Sequence, residues 1–209
     1  MDVNVAVTRR TQADRTAATR AALVGAARQL FAEHGYADVG TERVAQAAGV
    51  TRGALYDQFA DKAELFAAVL EAVELDLTQR LTEVVAAMPQ DDPLAVVAAG
   101  AEAWLDASVE PEVRRIALLD GPAVLGWERW REVGMRHGFG LVTGLLGELI
   151  EAGAIPAQPL EPLAHVLIGA LDEAALYVAQ AADPTTARIE AGAVLRRLVI
   201  ALLGPAPQG

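Results

Sequence analysis

The chain has 209 residues, of which 53% are hydrophobic and 5% aromatic, and it carries a formal net charge of −11. This length suffices for one larger domain or two small ones with a sizeable core, and an apolar content dominated by Ala and Leu favours helix over sheet. The absence of Cys excludes a disulfide framework and a Cys-based metal site.

The charge is divided unevenly along the chain. Residues 1–62 hold 8 basic and 7 acidic residues, a net charge of +1, whereas residues 63–209 hold 9 and 21, a net charge of −12. This division predicts that any binding to DNA is local to the N-terminal part, while the acidic remainder repels phosphate. The polar N-terminus and the lack of an uncharged run of bilayer length predict a cytoplasmic location.

Residues 1–14 are polar and lack helical periodicity, so we expect a disordered arm. The arm is either an inert tail or a segment that reaches the minor groove of DNA. Apolar residues at helical spacing then predict a helix over 15–34, which ends at His34 and Gly35.

Two short helices joined by a tight turn are predicted next. Gly40 and Thr41 form a start signal for the first helix, in which the threonine hydroxyl can accept orphan N–H groups. Gly49 can take the positive φ that ends this helix, and Thr51 is the N-cap of the next helix, which runs to Phe59. The pattern predicts a helix-turn-helix. An ordinary helical hairpin is the alternative.

This stretch resembles the DNA-binding segment of the tetracycline-repressor (TetR/AcrR) family of transcriptional regulators. The residues that match the family pattern are Phe31, Gly35, Tyr36, Val44, Ala45, Ala47, Ala48, Gly49, Val50, Thr51, Gly53, Leu55, Tyr56, Phe59, Asp61 and Lys62. The chain departs from the family at Val39–Gly40 and at Asp57–Gln58, where hydroxyl residues and a His are frequent.

The resemblance implies an all-α fold of about nine helices. A three-helix DNA-binding domain would occupy 15–61, with its first helix bracing the other two, and a larger ligand-binding and dimerisation domain would occupy 62–209. The small, cationic and hydroxyl residues of the second short helix suit a groove of DNA, and Arg52 could contact guanine. The candidate DNA-binding residues are Gly40, Thr41, Arg43, Thr51, Arg52, Gly53, Ala54, Tyr56 and Lys62. The resemblance implies phosphate contacts for Thr41, Tyr56 and Lys62; a solvated surface side chain is the alternative for the lysine.

Asp61 is the predicted cap of a long helix over 62–87. Further helices are predicted over 93–108, over a short segment after Pro111, and over 122–152. Six glycines interrupt the last of these, and since each costs about 1 kcal/mol against Ala, they call for close helix contact, a kink or a movable wall.

The last two helices are predicted over 160–182 and 184–203. Their apolar faces are broad, and in the resembling family the last two helices pair across a twofold axis. The candidate dimer-interface residues are Leu167, Leu171, Ala174, Val178, Val194, Leu195, Leu198 and Leu202. A dimer also suits DNA, because two recognition helices must lie about 34–36 Å apart to reach successive major grooves.

An apolar cavity is expected between the helices of 93–182. Its candidate ligand-binding residues are Trp104, Trp127, Trp130, His137, Phe139, His165 and Tyr177, each of which could instead be an ordinary core or surface residue. Glu128 and Asp172 could balance a cationic ligand if they point inward. The three His residues lack metal-ligand spacing, no catalytic motif is present, and no cofactor is expected. The resemblance to the TetR/AcrR family therefore implies a homodimeric repressor that a small apolar or aromatic effector releases from a palindromic operator. A helical ligand-binding dimer without sequence-specific DNA binding is the alternative.

Overall fold

The computed structural model describes residues 12–89 and 92–203. These residues form nine α-helices and one π-helical segment, and no strand occurs among them. The helices are α1 (Gln12–His34), α2 (Thr41–Ala47), α3 (Arg52–Gln58), α4 (Lys62–Ala87), α5 (Pro93–Val109), α6 (Gly121–Leu125), α7 (Trp127–Glu151), α8 (Leu160–Gln180) and α9 (Pro184–Leu203). The all-α prediction is confirmed.

The chain divides into two compact units, Met1–Val69 and Leu70–Gly209, so that α4 contributes to both. The sequence placed this boundary at 61/62, before α4 begins. Of the predicted arm, residues 1–11 lie outside the described part of the chain, whereas residues 12–14 belong to α1.

The N-terminal unit is held by a compact aromatic cluster. The rings of Phe31, Tyr36 and Phe66 lie with centroids 5.2–5.7 Å apart, and Leu23 and Leu55 are fully buried in the same unit. Aromatic pairs at this spacing contribute beyond the burial of their area. This unit therefore has a filled core that sets the positions of α2 and α3.

The core of the C-terminal unit lies between α5, α7, α8 and α9. Leu146, Ala164, Val199 and Leu203 are almost fully buried in one cluster, and a second cluster is formed by Leu105 with apolar residues of α8 and α9. Helix α8 is also long and apolar enough to pass a length-and-composition test for a membrane span. Its apolar side chains in these two clusters account for that composition.

A π-helical segment, Val113–Asp120, leads directly into α6. The sequence predicts two separate helices here, one after Pro111 and one from residue 122, whereas the chain stays helical through Gly121, where an added Cβ would lie 2.7 Å from the indole of Trp130. The predicted continuous helix over 122–152 is also divided, because Gly126 adopts φ 76 and separates α6 from α7.

Candidate functional site

The turn between α2 and α3 is closed by backbone hydrogen bonds. Gly49 has φ 68; its N–H donates to the carbonyl of Gln46 at 3.1 Å, and the N–H of Val50 donates to the carbonyl of Ala45 at 3.0 Å. These two bonds form a Schellman motif, which satisfies the last carbonyls of α2. The positive φ predicted for Gly49 is confirmed.

The start of α3 is capped as the sequence predicts. The Thr51 hydroxyl accepts a hydrogen bond from the N–H of Ala54 at 3.1 Å. Arg52 and Gly53 are exposed beside it, and the guanidinium of Arg52 lies 5.6 Å from the ring centroid of Tyr56. The surface of α3 thus presents a cation held over an aromatic ring.

Thr41 does not cap α2. The N-cap is Gly40, without a side-chain bond, and the Thr41 hydroxyl instead pairs with the Tyr56 hydroxyl at 3.3 Å. Bonds from Thr41 and then Arg52 lower the pKa of the Tyr56 phenol. The two hydroxyls therefore link α2 and α3 at the surface. Asp57, the residue after Tyr56 in α3, is exposed.

The remaining two cationic candidates are bound within the unit. An Arg43 Nη2 lies 2.7 Å from the His34 Nε2. The Lys62 ammonium donates to the carbonyl of Tyr36 and lies 3.9 Å from its ring centroid. Lys62 therefore fastens the loop after α1, in addition to any contact with phosphate.

The sequence analysis did not identify Arg20, a residue of α1 that contacts the end of α3. The guanidinium of Arg20 donates to the carbonyl of Gln58 at 3.2 Å and lies 4.3 Å from the ring centroid of Phe59. A cation at the carboxyl end of a helix also complements the helix dipole. Arg20 is thus one side chain through which α1 supports α3.

The C-terminal unit contains a cavity of about 120 Å³ bounded by α4, α5, α7 and α8. Its wall is almost entirely apolar. The lining residues are Glu74, Leu77, Thr78, Leu81, Val85, Val97, Gly100, Ala101, Trp104, Trp130, Arg131, Gly134, Gly138, Leu141, Val142, Leu145, Leu146, Leu167, Ile168, Leu171 and Asp172. A volume of this order accommodates a single-ring ligand, since a dry apolar cavity of about 150 Å³ binds benzene.

Two buried carboxyl groups lie in this wall. Burial raises the pKa of Glu74 to about 7, and the negative charges of Asp172 and Glu71 add to the effect. Burial also raises the pKa of Asp172 to about 6, although Arg131 opposes the shift through an ion pair at 2.8 Å. The cavity thus combines apolar surface with a few convergent polar groups, as ligand pockets do.

Two of the seven predicted ligand residues line the cavity, Trp104 and Trp130. Trp127 and Tyr177 do not, because each is more than half exposed on the outer surface. His137 is bound to Glu71. The rings of Phe139 and His165 contact each other in a tilted arrangement with centroids 5.2 Å apart, and neither residue lines the cavity. Of the two acidic candidates, Asp172 lines the cavity and Glu128 is exposed.

The sequence analysis did not predict that α4 forms part of the cavity wall. The expected cavity lay within 93–182, whereas Glu74, Leu77, Leu81 and Val85 all contribute to it. A signal was available: Glu74 is a charged residue at a position where the spacing of Leu70, Leu77 and Leu81 demands an apolar one. Among the described residues, no group of His, Asp and Glu could hold a metal ion.

The predicted dimer residues mostly face the unit's own core. Leu167, Val178 and Leu195 are buried there, and Leu171, Ala174, Leu198 and Leu202 pack partly against the same clusters. Only Val194 is largely exposed. Other apolar side chains of α8 and α9 are exposed. They are Val166, Tyr177, Ile189 and Ile200. The sequence indicated broad apolar faces on α8 and α9, but it did not indicate which part of each face points into the core.

The fold and the two sites define an all-helical protein that joins a helix-turn-helix unit to a cavity-bearing helical unit. Residues 23–69 match the family of bacterial regulatory proteins described as tetR family. Residues 94–202 match the tetracyclin repressor-like C-terminal domain.

Individual proteins with similar sequences or structures agree with these two family matches. The chain is 33% identical to a TetR-family transcriptional regulator from Pectobacterium atrosepticum, with a TM-score of 0.83 and coverage of 95% of this chain and 100% of that one. It is 35% identical over 100 residues to the regulator AcrR of Shigella flexneri, which covers 48% of this chain and 46% of AcrR, so the match spans about half of that relative's length. The structure of RolR with resorcinol has a TM-score of 0.72 at 24% identity, covering 94% and 99% of the two chains.

The chain belongs to the TetR family of transcriptional regulators. It is therefore a non-enzymatic regulator with an N-terminal helix-turn-helix DNA-binding domain.

Proposed function

We propose that the protein is a repressor that a small effector, bound in the C-terminal cavity, releases from its operator in the cytoplasm. The observation that carries this proposal is the apolar cavity of about 120 Å³ in a chain whose other unit is a helix-turn-helix. An effector shifts the balance of two states only by its difference in affinity for them. Helix α4 lines the cavity and also contributes to the N-terminal unit, so it is the element through which we expect the two states to differ.

We assign the base contacts to the exposed start of α3. Thr51, Arg52, Gly53 and Ala54 would face base edges, and Arg52 would bind guanine bidentately. Thr41 and Tyr56, already joined at 3.3 Å, would donate to phosphate together with Gly40, Arg43 and Lys62. Phosphate contacts position the protein, whereas base contacts specify the sequence.

Two copies would pair through the outer faces of α8 and α9. Val166 and Tyr177 on α8, and Ile189 and Ile200 on α9, are each more than half exposed. An added Cβ at Gly169, three residues after Val166 on α8, would meet no atom within 4 Å, so this glycine would allow helices of two copies to approach closely. Val166→Glu should therefore give a monomer by sedimentation, while Glu83→Gln, exposed on α4, should remain a dimer. A dimeric Val166→Glu protein would place the interface elsewhere.

The cavity favours an effector with one aromatic ring or a short hydrocarbon body. Its volume and its Trp104 and Trp130 walls support this size class. RolR, which shares the fold, binds resorcinol, and a single ring would also suit this cavity.

Selection of random duplex DNA by the purified protein tests the function. We expect a palindromic site, and we expect Arg52→Ala to relax its sequence preference by the roughly 1–3 kcal/mol of a bidentate contact. Affinity should fall steeply with salt. Failure to enrich any site at low salt would reject the repressor in favour of a helical ligand-binding dimer.

A further inference from the structure

Three carboxyl groups, those of Glu71, Glu74 and Asp172, lie close enough for their charges to interact, and two of them have cationic partners. Asp172 is bound to Arg131 at 2.8 Å. Glu71, which is next to the cavity wall on α4, accepts from both Arg136 and His137. These two carboxylates therefore each have hydrogen-bond partners on α7.

Glu74 differs from both. Its side chain is only 9% exposed and lines the cavity, yet no described residue donates a hydrogen bond to it or forms an ion pair with it. A buried carboxylate without a donor is costly. That cost appears in the raised pKa of Glu74, which burial and the charges of Asp172 and Glu71 produce.

The aromatic walls offer no competing donor to Glu74. The indole N–H of Trp104 donates to the carbonyl of Leu171 at 3.0 Å, and that of Trp130 donates to the carbonyl of Ala117 at 2.7 Å. Both indoles therefore meet the cavity only as apolar and π surface. Such surface is attractive to an organic cation.

We propose that the effector carries a protonated amine, which binds the carboxylate of Glu74 while its hydrocarbon body fills the apolar cavity. The inference rests on the proposed function and names the chemical class of its effector. A cation on Glu74 would complete the pairing that Arg131 provides for Asp172 and that Arg136 and His137 provide for Glu71. A neutral donor would leave this charge uncompensated, and an anion would add to it.

Matched probes of equal size test the proposal. Calorimetric titrations would use benzylamine, benzyl alcohol and benzoate, followed by propylamine and propanol as a smaller pair. We expect each amine to bind more tightly than its alcohol, and benzoate to bind least. A hydrogen bond to a charged group is worth roughly a tenfold to hundredfold change in affinity, so Glu74→Gln should lower the affinity for each amine by that factor and leave the alcohols nearly unchanged.

Glu83→Gln is the matched control, because it makes the same chemical change at an exposed position of the same helix. It should bind every probe as the native protein does. The proposal is wrong if no amine binds more tightly than its alcohol, or if Glu74→Gln retains the preference for amines.

Operator binding separates this inference from the proposed function. Sequence-specific DNA binding without a preference for amines would reject only the amine. Amine binding by a protein that selects no DNA site would reject the repressor and retain the amine site. We expect the selected operator to be released by benzylamine and retained in benzyl alcohol at the same concentration.

Discussion

The interiors of the two units differ in how densely their side chains are packed. The N-terminal unit is filled: Phe31 and Phe66 are fully buried and their rings are in contact. The C-terminal unit leaves a cavity of about 120 Å³ and has in its wall Glu74, with which no described residue forms a hydrogen bond or an ion pair. A recognition surface requires fixed geometry, whereas a ligand site requires space that folding has not filled. The comparison shows that one helical chain can meet both demands by packing one unit densely and the other incompletely.

Truncation of the filled core should produce the largest effect. Phe31→Ala removes a fully buried ring and should lower the free energy of unfolding by about 3–5 kcal/mol. Leu145→Ala is the counterpart in the other unit, where the side chain already borders empty space, so its loss should be clearly smaller. Urea unfolding of both variants measures the difference, and equal losses would contradict the contrast between the units.

The buried carboxyl should produce the next effect, through pH. The folded-state pKa of Glu74 is raised from 4.5 to about 7, so between these values the unfolded chain releases a proton that the folded chain retains. The contribution of Glu74 to stability is therefore greatest below pH 4.5 and falls as pH rises to 7, by at most roughly 3 kcal/mol. The free energy of unfolding of Glu74→Gln should fall less over this range, because only the raised pKa of Asp172 remains, and it should exceed that of the native protein at pH 8. Identical pH profiles for the two proteins would show that Glu74 is solvated.

The glycines of α7 should produce the smallest effect, with opposite signs for stability and binding. An added Cβ at Gly138 meets no atom within 4 Å, and this residue lines the cavity. Gly138→Ala should raise stability by about 1 kcal/mol through helix propensity and weaken benzylamine binding by occupying space. Gly121→Ala is the control, because its Cβ would meet Trp130 and should lower the melting temperature. A Gly138→Ala protein with unchanged benzylamine affinity would remove this glycine from the ligand site.

The sequence predicted the N-terminal unit in more detail than the C-terminal unit. Gly49, Thr51 and Asp61 act through backbone bonds within a few residues, so their roles follow from local spacing. Trp127 and Trp130 are three residues apart in one helix, yet only one lines the cavity. Their difference depends on how α7 is rotated against its neighbours, which composition and periodicity do not determine.

The same limit applies to charged and interfacial residues. Glu74 interrupts an apolar stripe, but its electrostatic environment depends on residues distant in sequence, such as Asp172, whose negative charge helps to raise the pKa of Glu74. On α8, Leu167 and Val166 are adjacent and similar in character, yet one is buried and the other exposed. One residue of rotation about a helix decides between core and surface.

The placement of the three tryptophans has a practical consequence. Trp104 and Trp130 line the cavity, and Trp127 lies with its ring centroid 4.9 Å from that of Trp130. No tryptophan precedes Trp104 in the sequence, so the helix-turn-helix contains none. Tryptophan fluorescence should therefore respond to ligand binding in the cavity without an added label. A dye attached to the operator would report DNA release separately. The order of the two events could then be timed in one cuvette.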